Sequence, residues 1–157
     1  MAALGVIAVS NPGFLWESGE RYLRTVPPSE LPWLYDTAGL RRAGVLVAAG
    51  TDAPVAPPEP LLGLAAACTR RSREGMPIPG TTLPFEAGAE LFTSAAARAG
   101  FQEQEVGQIA PGRVADLVLL DGDPSEPAGL RIVMTLMSGH VVWQNASSGQ
   151  VLARVTG

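Results

Sequence analysis

An apolar run, Ala43-Gly44-Val45-Leu46-Val47-Ala48-Ala49, ends abruptly in Gly50-Thr51-Asp52, and Ala53-Pro54 follow. Such a run reads as a strand buried on both faces, as in a parallel sheet covered by helices. An aspartate just past the C-terminal end of that strand stands where parallel α/β folds place their chemistry. The chemistry open to a carboxylate there is proton transfer or contact with a metal ion. On these residues alone the ordinary role is the better reading, because Asp before Ala-Pro is a common turn or cap residue. Other reactive side chains are scattered. His140 is the sole histidine, in the turn Ser138-Gly139-His140, where solvation is the expected state. Cys68 lies among Leu64, Ala65 and Ala67 and reads as a small buried hydrophobe, since activated thiolates need basic, partly exposed settings. Arg70, Arg71 and Arg73 could reach an anion, but they suit the solvated, negative end of a helix dipole better. Spacing does not join Asp36, Asp52 and Glu59 into a site, and neither a phosphate-binding glycine loop nor a serine nucleophile elbow is present.

The elements that must carry these residues follow from periodicity and breakers. Leu4 to Val9 reads as a first strand, closed by Ser10-Asn11-Pro12-Gly13. Phe14 to Pro32 mixes aromatics, charges and prolines, which predicts a long loop with a short helical turn, pinned by Trp16 and Tyr22. Leu34 to Ala43 reads as a short helix capped by Gly44, and Val45 to Ala49 as the second strand. Ala53 to Pro60 is proline-rich and predicts a stiff loop. Leu61 to Arg73 reads as one helix and Pro84 to Arg98 as another, with Phe85, Ala89, Phe92 and Ala96 as its buried stripe. After Gly100 the pattern changes to strands at Ala115 to Leu120, Ile132 to Met137 and Val141 to Gln144, the last pair forming a hairpin through Gly139.

A second segment gives Asp52 its context: Val106-Gly107-Gln108-Ile109-Ala110-Pro111-Gly112-Arg113-Val114-Ala115-Asp116-Leu117-Val118-Leu119-Leu120-Asp121. In this order, the Gly50-Thr51-Asp52 strand end and this segment resemble the C-terminal part of the metal-dependent amidohydrolase superfamily. The likeness is to the branch that holds D-aminoacylases and N-substituted formamide deformylases. It covers nearly the whole chain and is strongest at residues 44–54 and 106–120. The resemblance implies an α/β fold: the C-terminal portion of a (β/α)8 barrel, its last two strands and following helices, in residues 1–100. Residues 101–157 would then supply strands of a small composite β-sandwich.

By the same resemblance, Asp52 is the catalytic aspartate at the end of the last barrel strand, touching the metal centre. Metal coordination lowers the pKa of water to about 7, and a carboxylate beside it takes that proton and returns it to the departing amine. The implied reaction is hydrolysis of a non-peptide C–N bond in a small-molecule amide or formamide. Asp116, conspicuous as it is, is implied to be structural. The family's histidine ligands, a His-x-His pair and later single histidines, have no counterparts here, because His140 falls in the β portion. Catalytic zinc sites use roughly three protein ligands plus water. The expectation is therefore a divalent metal, zinc, in a complete enzyme, and no cofactor on the isolated chain. A second polypeptide or a longer chain would supply the rest of the barrel. The alternative is a non-catalytic remnant or small interaction module; open sheet edges that aggregate or dimerise favour the partner-dependent reading.

Size and composition agree with this. The 157 residues suffice for one domain but fall short of the roughly 250 of a full barrel. A hydrophobic share of 46% argues for a packed body rather than disorder. A net charge of −4 gives no footprint for nucleic acid, and no apolar run reaches the roughly 20 residues of a membrane span. The N-terminus lacks the basic leading region of a signal peptide, and one cysteine allows no internal disulfide, so the expected location is cytoplasmic.

Overall fold

The computed structural model describes residues 1–146. Strand β1 (Ile7–Ser10) pairs in parallel with β2 (Leu46–Ala49), Ile7 opposite Leu46 and Ser10 opposite Ala49. A parallel pair needs a long crossover, and helices α1 (Gly13–Thr25) and α2 (Thr37–Arg42) supply it, with a 3₁₀ turn at Leu31–Trp33 between them. The first strand is shorter than expected, because Ala2–Leu4 form a 3₁₀ turn closed by Gly5 in the left-handed region.

Helix α1 replaces the predicted long loop. Leu15 is fully buried, Gly19 is buried, and Leu23 packs against the same cluster, which is the i, i+4, i+8 spacing of one helical face. Gly13 and Gly19, both poor helix formers, hide that stripe from propensity reasoning. Gly19 is needed for contact rather than for conformation: a Cβ there would stand 2.5 Å from Ser72 Cβ. Helix α2 starts where Asp36 accepts a hydrogen bond from the Gly39 N–H at 2.8 Å, and it ends before Gly44, whose φ is +78°.

Helix α3 (Pro60–Thr69) follows the proline-rich loop, with Pro60 in its first turn where no donor is lost. Five consecutive residues, Gly63 to Ala67, are buried. A helix is apolar all round only when it is covered on several sides. Here Ala67 joins the cluster of Val45, Val47, Ala49, Leu83 and Leu91, while Ala66 joins Leu15 and Ile78. The helix ends earlier than expected, at Arg70 with φ +47°. The single helix predicted from Pro84 breaks at Thr93 into α4 (Phe85–Phe92) and α5 (Ser94–Ala99). Thr93 leaves helical geometry at φ −120°, ψ −98°, and its hydroxyl donates back to the Ala89 carbonyl at 2.9 Å. The buried face is Gly88, Leu91 and Ala95, one position round from the expected stripe.

The remaining strands, β3 (Leu117–Asp121), β4 (Arg131–Met137) and β5 (His140–Gln144), form an antiparallel sheet in the order β3-β4-β5. Pro127 and Leu130, both buried, lie in the β3–β4 connection, whose 3₁₀ turn (Pro127–Gly129) packs on α3. The β4–β5 turn is Ser138-Gly139, with φ values of +49° and +79° that suit a two-residue hairpin. Among the described residues, no helix is long and apolar enough to cross a membrane.

Candidate functional site

The C-terminal ends of β1 and β2 lie side by side, as parallel pairing demands. The Gly50 N–H donates to the Ser10 carbonyl at 3.0 Å, and the Asn11 amide donates to the Gly50 carbonyl at 3.4 Å. Two residues on, Asp52 is exposed and sits in the left-handed region at φ +58°, a conformation Asp tolerates better than most side chains. Its own carbonyl accepts the Val55 N–H at 2.9 Å, closing a turn, and Ala53–Pro54 is cis. Ala56 behind it is buried and seals the loop against the core.

Aromatic side chains from separate segments gather at the same end. Phe14, on the first turn of α1, stacks on Tyr35 with centroids 5.8 Å apart. The Tyr22 and Tyr35 hydroxyls are 3.0 Å apart, so one donates to the other. Tyr35 is held at φ +47° on the segment that leads into α2. Burial pushes its phenol pKa well up, the hydrogen bond to Tyr22 adds to this, and the nearby charge of Asp52 contributes least. Tyr35 stays a neutral phenol through the physiological range.

The other sequence candidates are dispersed. Asp36 caps α2, and Glu59 is exposed at the start of α3 without a capping bond, so neither gathers with Asp52. Asp116 accepts from the Ser138 N–H at 2.8 Å, and the Ala115 carbonyl accepts from the Gly139 N–H at 2.9 Å. Together they tie the hairpin turn to the start of β3, which makes Asp116 structural. His140 is exposed, with Nδ1 3.1 Å from the Ser138 carbonyl. Cys68 is half-buried, and burial, then the charge of Glu86, pushes its thiol up to about 11. Arg71 bonds the Gly75 carbonyl and Arg73 lies over the Trp16 ring, both at the helix end as expected.

Arg70 departs from that expectation. It is 3% exposed, and its guanidinium donates to the carbonyls of Leu31, Leu34 and Pro79. Burial lowers its pKa, while the charge of Asp36 opposes the shift. Position in the sequence shows a basic helix end; only the tertiary return of residues 31–34 and 79 shows that it is enclosed.

The donor set bears directly on a metal. Among the described residues no group of three or more His, Cys, Asp and Glu side chains could hold one. Asp52 is a single carboxylate at the strand end, and one donor does not make a zinc centre. The described residues therefore do not by themselves make up a metal site.

A sequence model of the amidohydrolase family matches residues 1–143. The chain belongs to the amidohydrolase family. Its amidohydrolase relatives include the Bacillus subtilis (strain 168) protein YtcJ, 32% identical over 139 residues, a match covering 75% of this chain and 26% of YtcJ. The N-substituted formamide deformylase of Arthrobacter pascens is 27% identical over 155 residues, covering 94% of this chain and 29% of the deformylase. Among solved structures, an amidohydrolase from Thermotoga maritima MSB8 superposes with a TM-score of 0.62 at 25% identity, covering 92% of this chain and 33% of that one. This amidohydrolase chain thus spans between a quarter and a third of the length of those relatives.

Proposed function

We propose that the chain is the C-terminal segment of a metal-dependent amidohydrolase that cleaves non-peptide C–N bonds, with Asp52 as its proton shuttle. In this reading β1 and β2 are the last two strands of a (β/α)8 barrel within residues 1–100. The sheet β3-β4-β5 belongs to a small composite β-sandwich within residues 101–157. One observation carries the assignment: Asp52 projects, exposed and left-handed, just beyond the end of a parallel strand in a chain matched by the amidohydrolase family from residue 1 to 143.

The chemistry assigned to this chain is limited to what its residues can do. A divalent metal, zinc by family resemblance, supplies an acidified water when bound. Asp52 accepts a proton at a carboxylate oxygen and delivers it to the nitrogen that leaves. The histidine donors that complete the metal centre come from outside these residues, in a longer chain or a second polypeptide. The isolated chain is accordingly inactive, the substrate is a small amide or formamide, and the setting is cytoplasmic.

The test begins with the coding sequence upstream of Met1, which should continue in frame, or in a neighbouring frame, into a His-x-His pair and later single histidines. The longer product should release amine from an N-substituted formamide or an N-acyl amino acid and lose activity on chelation. Asp52→Asn should lower kcat by about 10²–10⁴ with metal content unchanged. Full activity in that variant, or turnover by residues 1–157 alone, sinks the assignment.

A further inference from the structure

The turn after α3 brings two guanidiniums to the side of a cavity that Asp52 does not line. The cavity holds about 280 Å³ and is walled by three separate parts of the fold: Trp16 of α1, Leu61 and Leu62 of α3, and Leu130 of the β3–β4 connection. Arg71 and Arg73 complete it, and no Asp or Glu is among its lining residues. Trp16, Leu61 and Leu62 are half-buried, which leaves apolar surface for a guest to cover. An apolar wall with a few converging polar groups is the usual form of a small-molecule site.

The hydroxyls of the wall are already used. Thr69 donates to the Ala65 carbonyl at 2.8 Å, and the Ser72 oxygen accepts the Met76 N–H at 3.0 Å. The guanidiniums keep donors to spare. Arg71 gives Nη1 to the Gly75 carbonyl at 2.7 Å, and Arg73 lies over Trp16, 5.2 Å from the ring centroid. Each guanidinium has five N–H donors in a planar fork, which matches a carboxylate. The one ion pair among the described residues is Arg41 with Glu90, so neither arginine is neutralised by a neighbour. Glu20, whose carboxylate also reaches this turn, is taken by the Ser72 hydroxyl and the Glu74 N–H. In a chain of net charge −4, two cations beside an acid-free cavity favour an anion.

The turn is fixed before any guest arrives. The Arg73 N–H donates to the Trp16 carbonyl at 2.9 Å, and the Gly75 N–H to the Ser72 carbonyl at 2.9 Å. With the backbone held and both side chains anchored, little ordering is left to oppose binding.

We propose that this cavity binds a small carboxylate with an apolar body, an aryl or branched alkyl acid. The body lies against Trp16, Leu62 and Leu130, and the carboxylate meets Arg71 and Arg73. The site is separate from the strand end, so it stands or falls independently of the role of Asp52.

The chain has three tryptophans, Trp16, Trp33 and Trp143, so their indole N–H signals report binding by NMR, and Trp16→Phe assigns the relevant one. Phenylacetate titrated into residues 1–157 should shift the Trp16 signal saturably, with Kd about 1 mM. Acetate lacks the body and phenylacetamide lacks the charge; each should bind at least about tenfold more weakly. Arg71→Gln and Arg73→Gln should each raise Kd about tenfold, while Arg24→Gln, outside the cavity, leaves it unchanged. No saturable shift up to about 20 mM phenylacetate overturns the proposal. A shift confined to Trp33 or Trp143, equal binding of phenylacetamide, or an unchanged Kd in both cavity variants overturns it as well.

Discussion

The hydroxyls of Tyr22 and Tyr35 lie 3.0 Å apart, joining the third turn of α1 to the segment that enters α2. A hydrogen bond between half-buried groups contributes about 1 kcal/mol net. Tyr22→Phe removes it without opening a cavity. Urea unfolding should show a loss of about that size, and a change below roughly 0.3 kcal/mol means that water replaces the bond in full.

Asp52 occupies the left-handed region at φ +58° and makes no side-chain hydrogen bond that holds the fold. Asn accepts that conformation nearly as well, so Asp52→Asn should leave stability within about 0.5 kcal/mol. Asp52→Val, β-branched and strained there, should cost about 1–2 kcal/mol. A large loss in the Asn variant would show that the carboxylate supports the loop rather than serving chemistry.

Gly19→Ala sets two effects against each other. Helix propensity favours Ala by about 1 kcal/mol in an exposed helix. The new Cβ, however, would meet Ser72 Cβ at 2.5 Å and Ile78 Cδ1 at 2.8 Å, and overpacking costs about 1–3 kcal/mol. The second effect should win, because Ser72 Cβ is fixed to backbone. Thermal unfolding checks the sign: a raised Tm contradicts the packing of α1 on the segment after α3.

Glu20 gives a pH dependence with a defined sign. The Ser72 hydroxyl, then the Glu74 N–H at 3.0 Å, hold its carboxylate charged and its pKa below the usual 4.5. In the window below 4.5 the unfolded chain binds more protons than the folded one, so stability falls as pH falls through the folded value. Glu20→Gln should flatten that part of the profile in urea titrations between pH 5 and 3. Parallel profiles for the two proteins would contradict the bond.

Cys68, with its thiol pushed up to about 11, holds roughly a thousandth of its population as thiolate at pH 8. A disulfide reagent should therefore label the folded chain at least tenfold more slowly than the urea-unfolded one. Equal rates would mean that the α3–α4 contact opens freely.

The strand end is legible in the residues because its signals are local. The run to Ala49 is apolar without alternation, which is what burial on both faces requires, and Gly50-Thr51-Asp52 marks its end. The hairpin turn is legible for the same reason, since Ser138-Gly139 needs positive φ at both positions. Helix α1 is not, because its stripe of Leu15, Gly19 and Leu23 counts a glycine as a core position, and only the surface of Ser72 and Ile78 explains that glycine. The break at Thr93 escapes the pattern because apolar residues continue on both sides of it. Arg70 escapes it entirely: a basic helix end becomes a clamp on carbonyls that are 9 to 39 residues away.

The parallel pairing of β1 with β2 has a kinetic consequence. Its partners, tied by the Asn11–Gly50 hydrogen bond, are 39 residues apart in the chain. Closing a flexible loop of that length costs about 3 kcal/mol in its length-dependent part alone, before any pairing returns it. Pairing strands that far apart in the chain is slow, so the strand ends should meet late on the folding route. The loop that carries Asp52 would then reach its final place only after the helices have docked, and substitutions at the strand ends should speed unfolding more than they slow folding.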